Sequence, residues 1–171
     1  MSCGCHYGAV KVRRVFQEEI LSIGLLAIFG LLALALVGAA IAQIALGPLG
    51  SKPAPTVVYW LFGLLFGIIA FSFHKLVVRI DRSGITARYG PFVRQLKWRD
   101  IEGIETDESG AFYGYGVRLA RYRGRSAWVF NVIRATHVAA VTREGGPISL
   151  IFSSRRPEEA MAVAEQYLRP E

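Results

Sequence analysis

Two cysteines and three histidines in 171 residues leave little material for a metal centre. Cys3, Cys5 and His6 stand together near the start, but a closed structural zinc site takes four ligands. The remaining histidines, His74 and His137, lie far away in sequence, and C-x-C-H is one residue short of the haem-attachment spacing. Nucleophile elbows, Walker loops and glycine-rich dinucleotide turns are also missing. No metal, no cofactor and no small-molecule substrate are expected, and an enzyme is not the reading the residues favour. The third scarcity is of charge. From Ile20 to Phe73 there is no acidic residue and one basic residue, Lys52.

Within that stretch, residues 20–46 form an uncharged apolar run. As a helix it would extend about 40 Å, against a hydrocarbon core of about 30 Å. A signal-peptide core is about 7–15 residues, so this run is too long to be one. A second apolar run covers residues 57–73, with Tyr59 and Trp60 where an interfacial aromatic belt would put them. The segment GPLGSKPAPT between the runs is rich in helix breakers. A transmembrane helical hairpin is expected over residues 20–78, with helices at about 20–46 and 57–76. Lys11, Arg13 and Arg14 precede it, and Lys75, Arg79, Arg82 and Arg88 follow it, which places both termini in the cytoplasm of a multi-pass inner-membrane protein. Gly38 with Ala42, and Gly63 with Gly67, form small-residue pairs that let helix backbones approach closely. They serve either to pack the two helices together or to dock one face on a larger membrane complex.

After Leu76 the pattern changes to alternating apolar and polar residues separated by turn signals. LVVRID, GITARYG and VRQLKW read as successive strands, and YGVRLARY, AWVFNVI, HVAAVTRE and PISLIFS continue the series. Seven or eight short antiparallel strands are expected. The chain closes with PEEAMAVAEQYLR, where Ala160, Val163, Ala164, Tyr167 and Leu168 form one apolar helix face. The carboxylates Asp100, Glu102, Glu105, Asp107 and Glu108 lack any accompanying catalytic spacing and read as a solvated face.

Two membrane helices followed by GITARYGPFVRQLKWRDIEGIE, GYGVR, AWVFNV and a terminal PEEAMAVAEQYL helix resemble the bacterial pleckstrin-homology-like (PH-like) membrane proteins. The resemblance covers about residues 76–169 and implies a sheet capped by a helix; it implies no binding residues. The expected class is an α+β membrane protein: a cytoplasmic tail over residues 1–19, the hairpin over 20–78, and a PH-like antiparallel β-barrel or sandwich with a C-terminal capping helix over 79–171.

One segment stands out as a candidate surface. Arg118, Arg121, Arg123 and Arg125 fall within eight residues, beside Tyr122 and Trp128. On a membrane-tethered domain such a patch would attract anionic lipid or an acidic partner subunit, and it is equally consistent with a solvated loop. Nucleic acid, the other target of a net charge of +7, fits a membrane tether less well. The expected role is therefore a non-enzymatic accessory or assembly subunit of a larger membrane complex, with other membrane-protein subunits as partners. The alternative is a module that binds membrane lipids through Arg118–Arg125.

Overall fold

The computed structural model describes residues 14–47, 50, 54–107, 114–132 and 135–169. The order of elements begins with a strand. FQEEIL alternates apolar and polar side chains, and forms β1 (Phe16–Leu21) with Phe16, Glu18 and Ile20 facing inward. Two helices follow, α1 (Ile23–Leu46) and α2 (Thr56–Ser72), and then β2 (Lys75–Asp81), which pairs antiparallel with β1 from Phe16↔Ile80 to Leu21↔Lys75. The hairpin is thus an insertion between two neighbouring strands. Sequence reading had placed Ile20 in the first membrane helix and residues up to 19 in a tail. The apolar run hides the boundary, because Ile20 and Leu21 are as hydrophobic as the helix they precede.

The chain continues through β3 (Gly84–Tyr89) and β4 (Phe92–Leu96), completing a four-stranded sheet in the order β1-β2-β3-β4. A single 3₁₀ turn at Trp98–Asp100 leads into β5 (Ile101–Thr106). Then come β6 (Gly116–Tyr122), β7 (Arg125–Asn131), β8 (Thr136–Thr142) and β9 (Ser149–Ser154), forming a second sheet in the order β5-β8-β9-β7-β6. Among the described residues eight strands follow the hairpin, within the expected seven or eight. Of the two expected arrangements, barrel or sandwich, the strands take the second, as two sheets, and the expectation of antiparallel strands throughout is corrected at β7, which pairs with β9 in parallel. Chain direction alternates from β7 to β8 to β9, so β9, inserted between its two predecessors, must run parallel to β7.

Both sheets contribute to one main core that includes Phe16, Ile20, Leu76, Ile80, Ile85, Phe130, Leu150 and Phe152. Helix α3 (Pro157–Leu168) closes it through Ala160, Val163, Ala164 and Tyr167, with Pro157 and two glutamates in the first turn as helix starts favour. Tyr167 stacks on Trp98 at 5.0 Å, and its hydroxyl donates to the Arg14 carbonyl at 3.0 Å. Glu18 gives a second tie to the C-terminal region, accepting from Ser154 Oγ at 2.6 Å and from the Arg155 backbone N–H at 3.0 Å. The strand that precedes the hairpin is held by the last helix of the chain.

Helices α1 and α2 pack along each other, with Phe29 stacked on Phe66 at 5.9 Å. Among the described residues, α1 alone is long and apolar enough to cross a membrane by length and composition; α2 is apolar but has 17 residues. Gly63 sits in the contact, where a Cβ would come within 3.1 Å of Val37 Cγ2. Gly67 and Gly38 have open space where a Cβ would stand, and Ala42 is half-buried. The buried small residues besides Gly63 are Ala40 and Ala70.

The helices join the sheet with almost no slack. Ser22 alone separates β1 from α1, and its N–H donates to the His74 carbonyl at 2.8 Å. Tyr89, fully buried at the end of β3, donates its hydroxyl to Ser22 Oγ at 2.6 Å and meets Phe73 edge-to-face at 5.5 Å. His74 donates from Nδ1 to the Phe71 carbonyl and stacks on the Phe71 ring, so it helps end α2.

Candidate functional site

β6 and β7 pair antiparallel, joined at Arg123-Gly124, where both residues have positive φ of +49° and +78°. A two-residue turn with this twist suits tightly paired strands. The register distributes the basic segment over two faces. Arg118, Tyr122 and Arg125 share a face with Ala120, Ala127 and Val129, whereas Arg121 shares the opposite face with Leu119 and Trp128. Arg123 occupies the tip. The six residues therefore do not form one cationic surface.

Their charges are largely engaged. Arg123 forms an ion pair with Glu105 at 2.8 Å, and Arg125 pairs with Glu144 at 2.9 Å while donating to the Thr142 carbonyl at 3.1 Å. The Arg118 guanidinium folds towards Gly114. Trp128 packs against the main core, with the Arg94 guanidinium 5.1 Å above its ring. Arg121 is exposed and forms no ion pair among the described residues.

Glu105 is the residue that sequence reasoning left among solvated carboxylates. It lies on β5, opposite Ala139 of β8, at the far edge of the sheet from β6. For Tyr122 and Arg123 to reach it, the sheet must curl until its two edges approach. Small side chains permit this: Ala127, Val129, Ala139 and Ile151 make a second, minor core on that face, with Ala120 and Tyr122 against it. The rim encloses an open cleft of about 300 Å³ lined by Glu102, Glu105, Tyr122, Arg123, Arg125 and Ser149 among others. A run of alanines in neighbouring strands was the available signal for the curl, but the pairing of β5 with β8 was needed to use it.

Tyr122 donates to Glu105 Oε1 at 2.9 Å. Burial first, and the adjacent carboxylate second, push its phenol up to about 12 from the usual 10. The native state thus holds the proton more tightly than the unfolded chain, so stability is full below about pH 10 and falls as pH rises towards about 12. Denaturation across that interval should show a smaller loss for Tyr122→Phe than for the unaltered protein. Equal losses would mean that Tyr122 does not carry the effect.

A polar network lies nearer the helices. Asn131 Oδ1 accepts from His137 Nε2 at 2.8 Å and from Ser153 Oγ at 2.9 Å, while the Asn131 amide donates to the Gly114 carbonyl. Burial holds the His137 imidazole below its usual range, with the Asp107 carboxylate pulling the other way. A depressed histidine means the unfolded chain takes up the proton first, so stability is lost as pH falls below about 6.5. His137→Gln should flatten that acid limb of a stability-versus-pH curve; an unchanged limb would contradict the assignment. No group of three or more ligand-type side chains is assembled for a metal among the described residues. Cys3, Cys5, His6 and Glu108 lie outside the described residues.

A strand–turn–strand series leading on to a sheet capped by one C-terminal helix is the arrangement that the resemblance implied; the division of the strands into two sheets is added by the structure. Residues 75–165 match the bacterial PH domain. This chain belongs to the bacterial PH domain family. The match begins at the first residue of β2 and ends inside α3, so β1 lies outside it although it completes the first sheet of this PH domain. No curated protein and no solved structure matches the chain.

Proposed function

We propose that the protein is a two-pass membrane subunit that presents its PH domain in a fixed pose to a partner within a larger membrane complex. The observation that carries this reading is the junction between hairpin and sheet. Leu21 pairs with Lys75, and Ser22 bonds to His74, so the start of α1 and the end of α2 lie side by side. If α1 crosses the bilayer, α2 has to return across it. Its 17 residues give about 25 Å of helix, a shortfall that local bilayer thinning accommodates at modest cost. The lysines and arginines flanking the hairpin favour a cytoplasmic PH domain.

A flexible tether would suit a module that searches for ligand. Here one residue on one side and two on the other connect helices to strands, and Tyr89 closes the joint. Gly38 and Gly67, with open space beside them, supply helix faces on which a neighbouring helix could approach closely. The lipid-binding alternative through Arg118–Arg125 receives less support. Arg123 and Arg125 are ion-paired, and they lie at the opposite end of the β6–β7 hairpin from Gly116, which is beside Tyr89 and the joint.

The test is purification of the tagged full-length chain from its native membranes in a mild detergent. Stoichiometric co-purifying membrane proteins are expected, and recovery of the protein alone across several detergents would overturn the subunit reading. Reversing the charges of Arg121, Arg123 and Arg125 in the same experiment locates the contact: loss of partners would assign it to the hairpin tip, and retention to the helices.

A further inference from the structure

We propose that the turn between β3 and β4 is a third membrane contact, with Phe92 and Val93 entering the headgroup region of the leaflet at which α2 ends. The inference rests on reading the hairpin as a membrane anchor. Phe92 is 47% exposed and Val93 is 54% exposed, two adjacent apolar side chains left uncovered where β4 leaves the turn.

Their position relative to the helix end is tightly defined. A Cβ on Gly90 would lie 2.9 Å from the Ser72 carbonyl oxygen and 3.0 Å from the Phe73 ring, so the turn rests on the last turn of α2. The Phe92 ring is centred 6.1 Å from that of Phe73, about the height of one helical turn. The zone between hydrocarbon and bulk water is itself about 5–7 Å deep on each side of a bilayer. A side chain this close to the end of a spanning helix falls within it.

The surrounding surface has the matching character. Leu21, Ile23 and Phe71, each more than half exposed, continue the apolar rim from the turn onto the helices. Arg88 stands directly opposite Val93 in register, one row behind Phe92, and is exposed, placed for lipid phosphates. Lys75, opposite Leu21, is half-buried and paired with Glu19. Apolar residues at the tip with a cation beside them are what an interfacial contact requires. Held at the hairpin and at this foot, the domain could not rotate about the helix axis, which would explain why the joint is so short.

The experiment uses the full chain with Cys3→Ser and Cys5→Ser, carrying single cysteines labelled with a small fluorophore. The sites are Phe92→Cys and Val93→Cys at the foot, Ser83→Cys at the opposite end of β3, and Ile68→Cys on the exposed side of α2. Each is reconstituted into phosphatidylcholine–phosphatidylglycerol vesicles bearing nitroxides either at the headgroup or in mid-chain. Headgroup nitroxides are expected to quench positions 92 and 93 several-fold more than position 83, with mid-chain nitroxides quenching position 68 most. If position 68 is quenched but 92 and 93 behave like 83, the foot is absent and the anchor stands. If position 68 also escapes quenching, the anchor reading falls and the foot with it. Val93, on the outer face, serves as a second probe should labelling at Phe92 disturb its contact with Phe73.

Discussion

Replacing Gly84 by alanine is expected to destabilise the domain by about 2–6 kcal/mol. Gly84 opens β3 with φ of +139°, a region that side chains avoid, and a Cβ there would lie 1.9 Å from the Leu96 carbonyl oxygen. Forcing a non-glycine residue into such a conformation costs about 1–3 kcal/mol. Making room in a packed interior costs about 1–3 kcal/mol more. The obstruction is backbone, so no rotamer change relieves it; the end of β4 has to move. A thermal melt of the detergent-solubilised protein should show the transition lowered by about 10–30 °C. Gly124→Ala is the comparison, since Gly124 also has positive φ (+78°) but nothing within 4 Å of the added atom. It should cost only about 1 kcal/mol. Equal costs at the two sites would mean that the close approach to Leu96 does not matter.

The second large effect is expected at Glu18. Glu18→Ala removes the acceptor of the buried Ser154 Oγ and of the part-buried Arg155 backbone N–H. A buried donor left without a partner costs about 1–3 kcal/mol and a part-buried one less, giving about 2–4 kcal/mol for the pair. The neighbouring Glu19→Ala should cost no more than about 1 kcal/mol, because Glu19 is exposed and its ion pair with Lys75 is in solvent. Adding Ser154→Ala to Glu18→Ala should cost less than the two single losses together, since one orphaned hydroxyl is then gone. Unfolding curves of the unaltered protein, the three single variants and the double variant decide this. Similar costs for Glu18 and Glu19 would contradict the inward placement of Glu18 and the tie between β1 and the start of α3.

That pair of glutamates illustrates how far the sequence could be read. The strands after the hairpin were legible because their apolar residues alternate and turn signals separate them. The face of α3 was legible because Ala160, Val163, Ala164 and Tyr167 recur at helical spacing, and all four are buried. β1 was not legible. FQEEIL alternates for only six residues, and its last two merge into an apolar run whose continuity is the stronger signal. The parallel pairing of β7 and β9 was out of reach for a different reason: strand order is long-range information that no local pattern encodes. The basic segment shows the same limit. Arg118–Arg125 looks like one patch in the sequence, but a strand turns successive side chains to opposite faces, and the sheet's curl brings Glu105 to Tyr122 and Arg123.

The helical hairpin is inserted within the PH domain, so that β1 belongs to a fold whose family match begins only at β2. Phe16 and Ile20 are buried in the main core, worth about 1.5–3 kcal/mol each against a total of about 5–15 kcal/mol for a domain. The most direct measurement compares two soluble proteins. In one, residues 23–73 are replaced by a short glycine–serine link between Ser22 and His74, whose backbones already meet at 2.8 Å. In the other, the chain simply starts at Lys75. The linked protein is expected to unfold in one cooperative transition and the truncated protein to be unfolded or aggregated. Equal stability of the two would contradict the insertion and make β1 an ornament on a complete domain.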